Sequence, residues 1–225
     1  MVEPFIRNHH YNFIKNQADI VQKATVSVSD PKVLEAVRYS AESKVLNAFP
    51  HGTESQKQLL KKIALLKEAE DFKQYLSSLL PYVVPFPQVT EKQIKKLFPK
   101  NKKLKVPDLL TLDYQSVTYL GWMDIATSKL FIVYPAGEEI VGIEGKFTIA
   151  NRKNTCSLCH GHGEVALFSA VTKTRIAHAS PDYYKAIGNY ICTDSAACNK
   201  RITDVAVLER FIHDVTGRAI TKHGT

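Results

Sequence analysis

The chain has 225 residues, 44% of them hydrophobic and 23% charged, with a formal net charge of +8. This is enough for one large domain or two small ones, each with its own core, and the balance is that of an ordinary globular protein. No apolar run approaches the roughly 18 to 20 residues needed to span a bilayer, and "MVEPFIRNHHYNF" lacks the basic start and apolar stretch of a secretory leader, so a cytoplasmic protein with no membrane partner is expected.

The first 80 or so residues read as helices. Ile14 and Val21 suggest a first helix beginning near His10. Ser29-Asp30-Pro31 is a start signal, a capping side chain followed by proline at the first helical position. Leu34, Val37, Ala41, Val45 and Ala48 then recur at helical spacing, and "FPHG" ends the element. Thr53 with Gln56 makes a capping box, with Leu59, Ile63 and Leu66 on one face behind it. Phe72, Leu76, Leu79 and Val83 mark a fourth helix, although no Gly or Pro separates it from the third. Four helices with short connections predict a small antiparallel bundle over residues 1–83.

"PYVVPFPQVT", with three prolines in seven residues, is the connector to a second region, 84–225. Thr90 and Gln93 open a short helix with another capping box. Lys95, Lys96, Lys100, Lys102, Lys103 and Lys105 follow as a cluster that could meet RNA phosphates, an acidic protein or only solvent. Beyond Pro107 the pattern turns to strands. "KLFIVY" and "EIVGIEGKFTI" flank the turn-like "PAGE" as a hairpin, and "EVALFSAVT" is a further strand. Asp113 and Asp124 read as surface or capping residues. At the end, Val205, Leu208, Ile212 and Val215 form a helical stripe and Gly217 a stop. The expected fold class is α+β.

All four cysteines fall in the last third, as Cys156-x2-Cys159 and Cys192-x5-Cys198. "CSLCHGHG" taken alone also fits a c-type haem attachment site, one unit of a chaperone zinc repeat, or a redox dithiol. The missing leader weakens haem, the single copy removes the repeat, and a redox pair leaves Cys192 and Cys198 unexplained. Two close-spaced pairs of thiolates satisfy the tetrahedral shell of one structural zinc, and the surrounding pattern fits a treble clef over 156–216. Cys198 is expected at a helix N-terminus, where free amides stabilise a thiolate; His160 and His162 could replace a Cys ligand, but histidines beside a knuckle are more often exposed or packed behind the ligands. Four unrelated free cysteines are the bland alternative. The sequence contains no Gly-rich phosphate loop, no His-Glu-x-x-His and no nucleophile elbow, which favours a binding protein over an enzyme.

The bundle, the "YVVPFP" hinge, "LKVP", "LGWMDIAT" ahead of "KLFIVY", and "NYICTDSAACNKRITD" together resemble the FusB-type family. These are elongation factor G-binding proteins associated with fusidic acid resistance in Gram-positive bacteria. The resemblance implies a helical bundle followed by a four-Cys zinc-finger domain that binds elongation factor G and promotes its release from the ribosome, without modifying the drug. It also implies partner contacts at Tyr190, two residues before the third Cys, and at Phe211 in the closing helix. Where the family has an aromatic before the first Cys this chain has Thr155, and where it has Lys three residues before the Tyr this chain has Ile187, with Lys185 close enough to serve as that partner contact. Val207 and Leu208 share the side of the helix that carries Phe211, so core packing is the competing reading of that residue.

The expectation is therefore a monomeric, non-catalytic protein with one structural zinc, whose partner is elongation factor G and, indirectly, the bacterial ribosome. The alternative is a zinc-finger RNA- or ribosome-binding module, motivated by the +8 charge and the Lys95–Lys105 cluster. A thiol oxidoreductase using Cys156 and Cys159 is a third reading.

Overall fold

Asp30 and Pro31 act as their order suggests. The Asp30 carboxylate accepts from the Lys32 amide at 2.9 Å, and Pro31 opens the helix where no amide partner is needed. In the computed structural model, which describes residues 3–172 and 185–218, this element is α2 (Pro31–Asn47), preceded by α1 (Asn8–Ser27). The Thr53/Gln56 capping box is present and opens α3 (Glu54–Lys61). Beyond it the chain tightens into a 3₁₀ turn, Lys62–Leu65, which shifts the apolar face from the expected spacing. Leu60, Ile63 and Leu66 are buried, whereas Leu59 is only partly so.

The start of α4 (Ala69–Leu79) is set by a side chain the periodicity did not flag. Asp71 accepts from both the Lys67 and Glu68 amides at 3.0 Å and so ends the third element without Gly or Pro. Tyr75 donates to the Leu60 carbonyl at 3.0 Å near the end of α3, and Arg38 to the Leu66 carbonyl at 3.1 Å just beyond the 3₁₀ turn. The chain enters and leaves this unit side by side. Ile6 and Val83 form a parallel bridge, with the Val84 amide donating to the Ile6 carbonyl at 2.8 Å.

The first compact unit ends at Val84 and the second begins at Pro85. In the second, the Thr90/Gln93 box opens α5 (Glu91–Leu97). The strands are β1 (Leu120–Asp124), β2 (Lys129–Ala136), β3 (Glu139–Ile149), the short pair β4 (Asn154–Thr155) and β5 (His162–Gly163), then β6 (Val165–Val171) and β7 (Ala186–Cys192). Among the described residues two helices follow, α6 (Ser195–Asn199) and α7 (Ala206–Thr216). The main sheet is antiparallel with order β1-β2-β3-β6-β7, and β4 pairs only with β5.

One sheet face carries Leu130, Ile132, Ile143, Phe168 and Ile191 against the cysteine region and α7. On the other face, Leu120, Phe131 and Val133 pack under α5 through Ile94 and Phe98. Close approach of α5 depends on Gly142, since a Cβ there would come within 2.8 Å of Leu97 Cβ and Phe98 Cζ. Asp113 and Asp124 cap short turns, as read from the sequence, accepting from the Gln115 and Ala126 amides. No helix among the described residues is long and apolar enough to cross a membrane.

His9 is a buried titratable group in the first unit, its ring 4.1 Å from that of His10. Burial, followed by the charges of His10 and Arg7, pushes its pKa down to about 2 from an ordinary 6.5. Folded His9 is thus neutral while the unfolded chain takes up a proton below pH 6.5. The stability present above that pH is lost as the pH falls from 6.5 toward 2, by about 1.4 kcal/mol per pH unit. Urea unfolding followed by far-UV circular dichroism from pH 7.5 to 5 should show this slope, and the His9→Gln variant should flatten it.

Candidate metal centre and docking surface

The first cysteine pair sits on a tight knuckle. β4 and β5 pair as Asn154↔Gly163 and Thr155↔His162, and the turn between them carries Cys156 and Cys159. The His160 amide donates to the Cys156 carbonyl at 2.9 Å and the Cys156 amide to the Gly161 carbonyl at 3.0 Å, while the Leu158 amide points at Cys156 Sγ from 3.4 Å. His160 takes a left-handed conformation with φ 55°, and both His160 and His162 are exposed, as expected. Gly161 leaves room for the Arg201 guanidinium, because a Cβ there would lie 2.6 Å from Arg201 Nη1.

The second pair arrives on β7 and the helix after it. β7 ends at Cys192, and Asp194 caps α6 by accepting from the Ala196 and Ala197 amides at 2.8 and 3.1 Å. Cys198 is the fourth of the five residues of α6, which corrects the expectation that it opens a helix. Asp194 already takes the free N-terminal amides of α6, and the Cys198 amide donates to the Asp194 carbonyl. Thiolate support comes instead from Arg201, whose Nη2 donates to Cys192 Sγ at 3.4 Å while its Nε donates to the Ala197 carbonyl.

The four Sγ atoms lie within 4.8 Å of one another, all buried. Cys156 and Cys198 are 3.9 Å apart and Cys159 and Cys192 3.6 Å, far beyond a disulfide bond. Zn–S bonds of about 2.3 Å at tetrahedral angles require sulfurs about 3.8 Å apart, so the set fits one zinc ion with no position left for water. Without a cation the four thiols cannot all be ionised. Hydrogen bonds from Cys159, Cys192 and Cys198 pull the Cys156 thiol far below its ordinary range, while donation to Cys156 pushes Cys198 far above it. Only a positive ion allows all four to ionise together. The residues hold one structural zinc, and among the described residues no other His, Cys, Asp or Glu group is arranged to bind a metal.

Residues that spacing could not reveal fasten this centre to the sheet. Asn199, buried, accepts from the Thr118 and Tyr119 amides at 2.8 and 3.1 Å and donates to the Tyr119 carbonyl at 2.9 Å. Ser195 donates to the Gly121 carbonyl at 2.6 Å. Tyr119 is buried beside the sulfur cluster, and burial followed by the proximity of Cys198 holds its phenol well above its ordinary pKa.

Of the residues expected to meet a partner, Tyr190 is 40% exposed and Lys185 is exposed at the start of β7. Tyr190 stands directly opposite Leu167 on β6, which is also partly exposed. Its carbonyl accepts from the Ser157 amide of the knuckle at 2.7 Å, so the zinc centre fixes its place. Phe211 lies inside. It is 5% exposed, with its ring centroid 5.4 Å from that of Phe168, and belongs to the stripe of Leu208, Ile212 and Val215 that covers the sheet. α7 stops at Gly217, in left-handed conformation, as read from the sequence.

Two family models match. One, described as elongation factor G-binding protein, N-terminal, matches residues 5–87, and the other, described as FBP C-terminal treble-clef zinc-finger, matches residues 96–215. Among solved structures, that of the fusidic acid resistance protein FusC is similar with a TM-score of 0.75 and 24% identity, over 96% of this chain and 99% of that one. At this level of identity the likeness establishes a shared fold. No curated protein matches the chain.

The purified protein should contain one zinc per chain, and its removal should unfold the Cys156–Thr216 region, read as lost protection in hydrogen exchange. Arg201→Ala should weaken zinc binding about tenfold in a competition titration with a chromogenic chelator. Gly161→Ala, which displaces the same guanidinium, should act in the same direction.

Proposed function

The chain belongs to the family of elongation factor G-binding proteins that end in a treble-clef zinc finger, the FusB-type family its motifs resemble, and from that premise we propose that it binds elongation factor G through its C-terminal unit and promotes release of the factor from the ribosome. Its consequence would be protection of translation from fusidic acid, exerted in the cytoplasm. The action is non-catalytic. A protein that binds one conformation of the factor better than the ribosome-bound one shifts the population toward dissociation, and differential affinity is all this requires.

The observation that carries the reading is the hydrogen bond from the Ser157 amide to the Tyr190 carbonyl. It ties the family's tyrosine to the metal centre and so presents that side chain from a rigid frame. Around it the sheet face is open. On β1 to β3 this face is covered by α5, but Leu167, Val171 and Tyr190 further along are 37%, 54% and 40% exposed, and the Lys185 carbonyl accepts from the Thr172 amide next to Val171 at 2.8 Å. An exposed tyrosine on a fixed backbone is the kind of residue enriched at interface hot spots. Phe211 serves this surface from beneath, by holding α7 against the sheet through Phe168.

Calorimetric titration of the zinc-loaded chain with a bacterial elongation factor G tests the reading, and absence of binding at micromolar concentration would refute it. Tyr190→Ala should weaken binding at least tenfold with zinc content and melting temperature unchanged, in keeping with the roughly 2 kcal/mol typical of such residues. Phe211→Ala should act by destabilising the unit, by about 3 to 5 kcal/mol, as for other buried phenylalanines. Sedimentation of ribosomes carrying the factor and the drug should show more factor in the supernatant when the protein is added.

A further inference from the structure

Residues 91–105 hold seven lysines against a single glutamate, a local charge of +6, so the other 210 residues carry only +2 of the total +8. Lys92, Lys95, Lys96, Lys100, Lys102, Lys103 and Lys105 are all exposed. Among the described residues Lys95 alone of the seven has an ion-pair partner, Glu91 at 2.5 Å. The backbone beneath them is fixed. Ile94, Phe98 and Leu104 are buried in the core under α5, and the Asn101 and Leu104 amides close successive turns at 3.0 Å onto Phe98 and Asn101. The Asn101 side chain is itself held by Lys129 and Glu144, a pair that neutralises the nearby carboxylate. The segment is an ordered part of the fold whose apolar side chains point in and whose cations all point out.

From this geometry we propose that α5 and the turns that follow it, Glu91–Lys105, form a docking platform for the phosphate backbone of structured RNA. The chemistry separates this occupant from an acidic protein. Protein interfaces are built around exposed aromatic or aliphatic anchors and are depleted in lysine, but the anchors of this segment are buried. A polyphosphate requires only mobile point charges on a stable frame, since its affinity comes mainly from counterion release. With no exposed aromatic to stack on, the platform has no grip on splayed bases, so it reads the backbone of a duplex without regard to sequence. This contact is additional to the surface around Tyr190 and does not depend on it.

The test is fluorescence anisotropy of the zinc-loaded full chain with a labelled 16-base-pair RNA duplex at several salt concentrations. Micromolar binding is expected near 0.1 M salt, with log K falling against log salt at a slope of about −3 to −5, and with no change between two unrelated duplex sequences. The variant Lys100→Gln/Lys102→Gln/Lys103→Gln should melt as the parent does, bind the duplex at least tenfold more weakly and lose about 2 units of slope. It should bind elongation factor G as the parent does when both samples are treated with nuclease. Unchanged RNA affinity in the variant would overturn the proposal. So would competition by polyglutamate as strong as that by the duplex, or loss of affinity for the elongation factor. Failure of the parent protein to bind that factor would refute the preceding reading and leave the RNA measurement to stand by itself.

Discussion

Four buried sulfur atoms within 4.8 Å of one another are the constraint on which the C-terminal unit depends. Without a cation they are an electrostatic liability, since neighbouring thiolates repel and neighbouring thiols leave their polar groups in an apolar core. With zinc they become a junction between segments 33 and 42 residues apart. The backbone around them leaves little slack. The knuckle is closed by its own amides, α6 is capped by Asp194, and Arg201 spans the two by lying over Gly161 and reaching Cys192. The metal supplies the association energy and the hydrogen bonds supply the direction.

From that junction the rest of the unit follows in layers. The cysteines share a core with Leu130, Ile132, Phe168 and the inner stripe of α7, so the metal and the apolar interior stabilise each other. The opposite sheet face is divided. α5 covers the part formed by β1 to β3, where Gly142 permits contact, and the part formed by β6 and β7 stays open around Leu167 and Tyr190. One sheet thus separates three roles, with zinc on one side, the lysine-bearing helix on half of the other, and an open aromatic patch on the remaining half.

What the sequence made legible was the chemistry that acts over a few residues. The Asp30-Pro31 start, the two Thr/Gln capping boxes, the β2–β3 hairpin, the Gly217 stop and the four ligands are all local patterns, and all are present. The spacing argument failed where the helical period itself changed, so that Leu60 replaced Leu59 inside. It also failed where a cap came from Asp71, a residue inside the helix it starts. Cys198 could not be placed within its helix because the length of α6 depends on where Asn199 meets the backbone of Thr118 and Tyr119, about 80 residues earlier. Arg201 and Gly161 were invisible for the same reason, as their meaning lies in each other. For Phe211 the stripe left core and surface open, and only the packing on Phe168 decided between them.

The position of α6 has a further consequence. The main sheet runs from β1 to β7, and the outer flank of each terminal strand would ordinarily present unpaired amides and carbonyls to other chains. Here the zinc finger attends to both. Ser195 and Asn199 of α6 bind the backbone at Gly121, Thr118 and Tyr119, on and just ahead of β1, and the knuckle binds β7 at Tyr190. A single ion therefore guards both edges of one sheet. Its loss would leave the backbone of both terminal strands without these partners at once, and not of one edge alone.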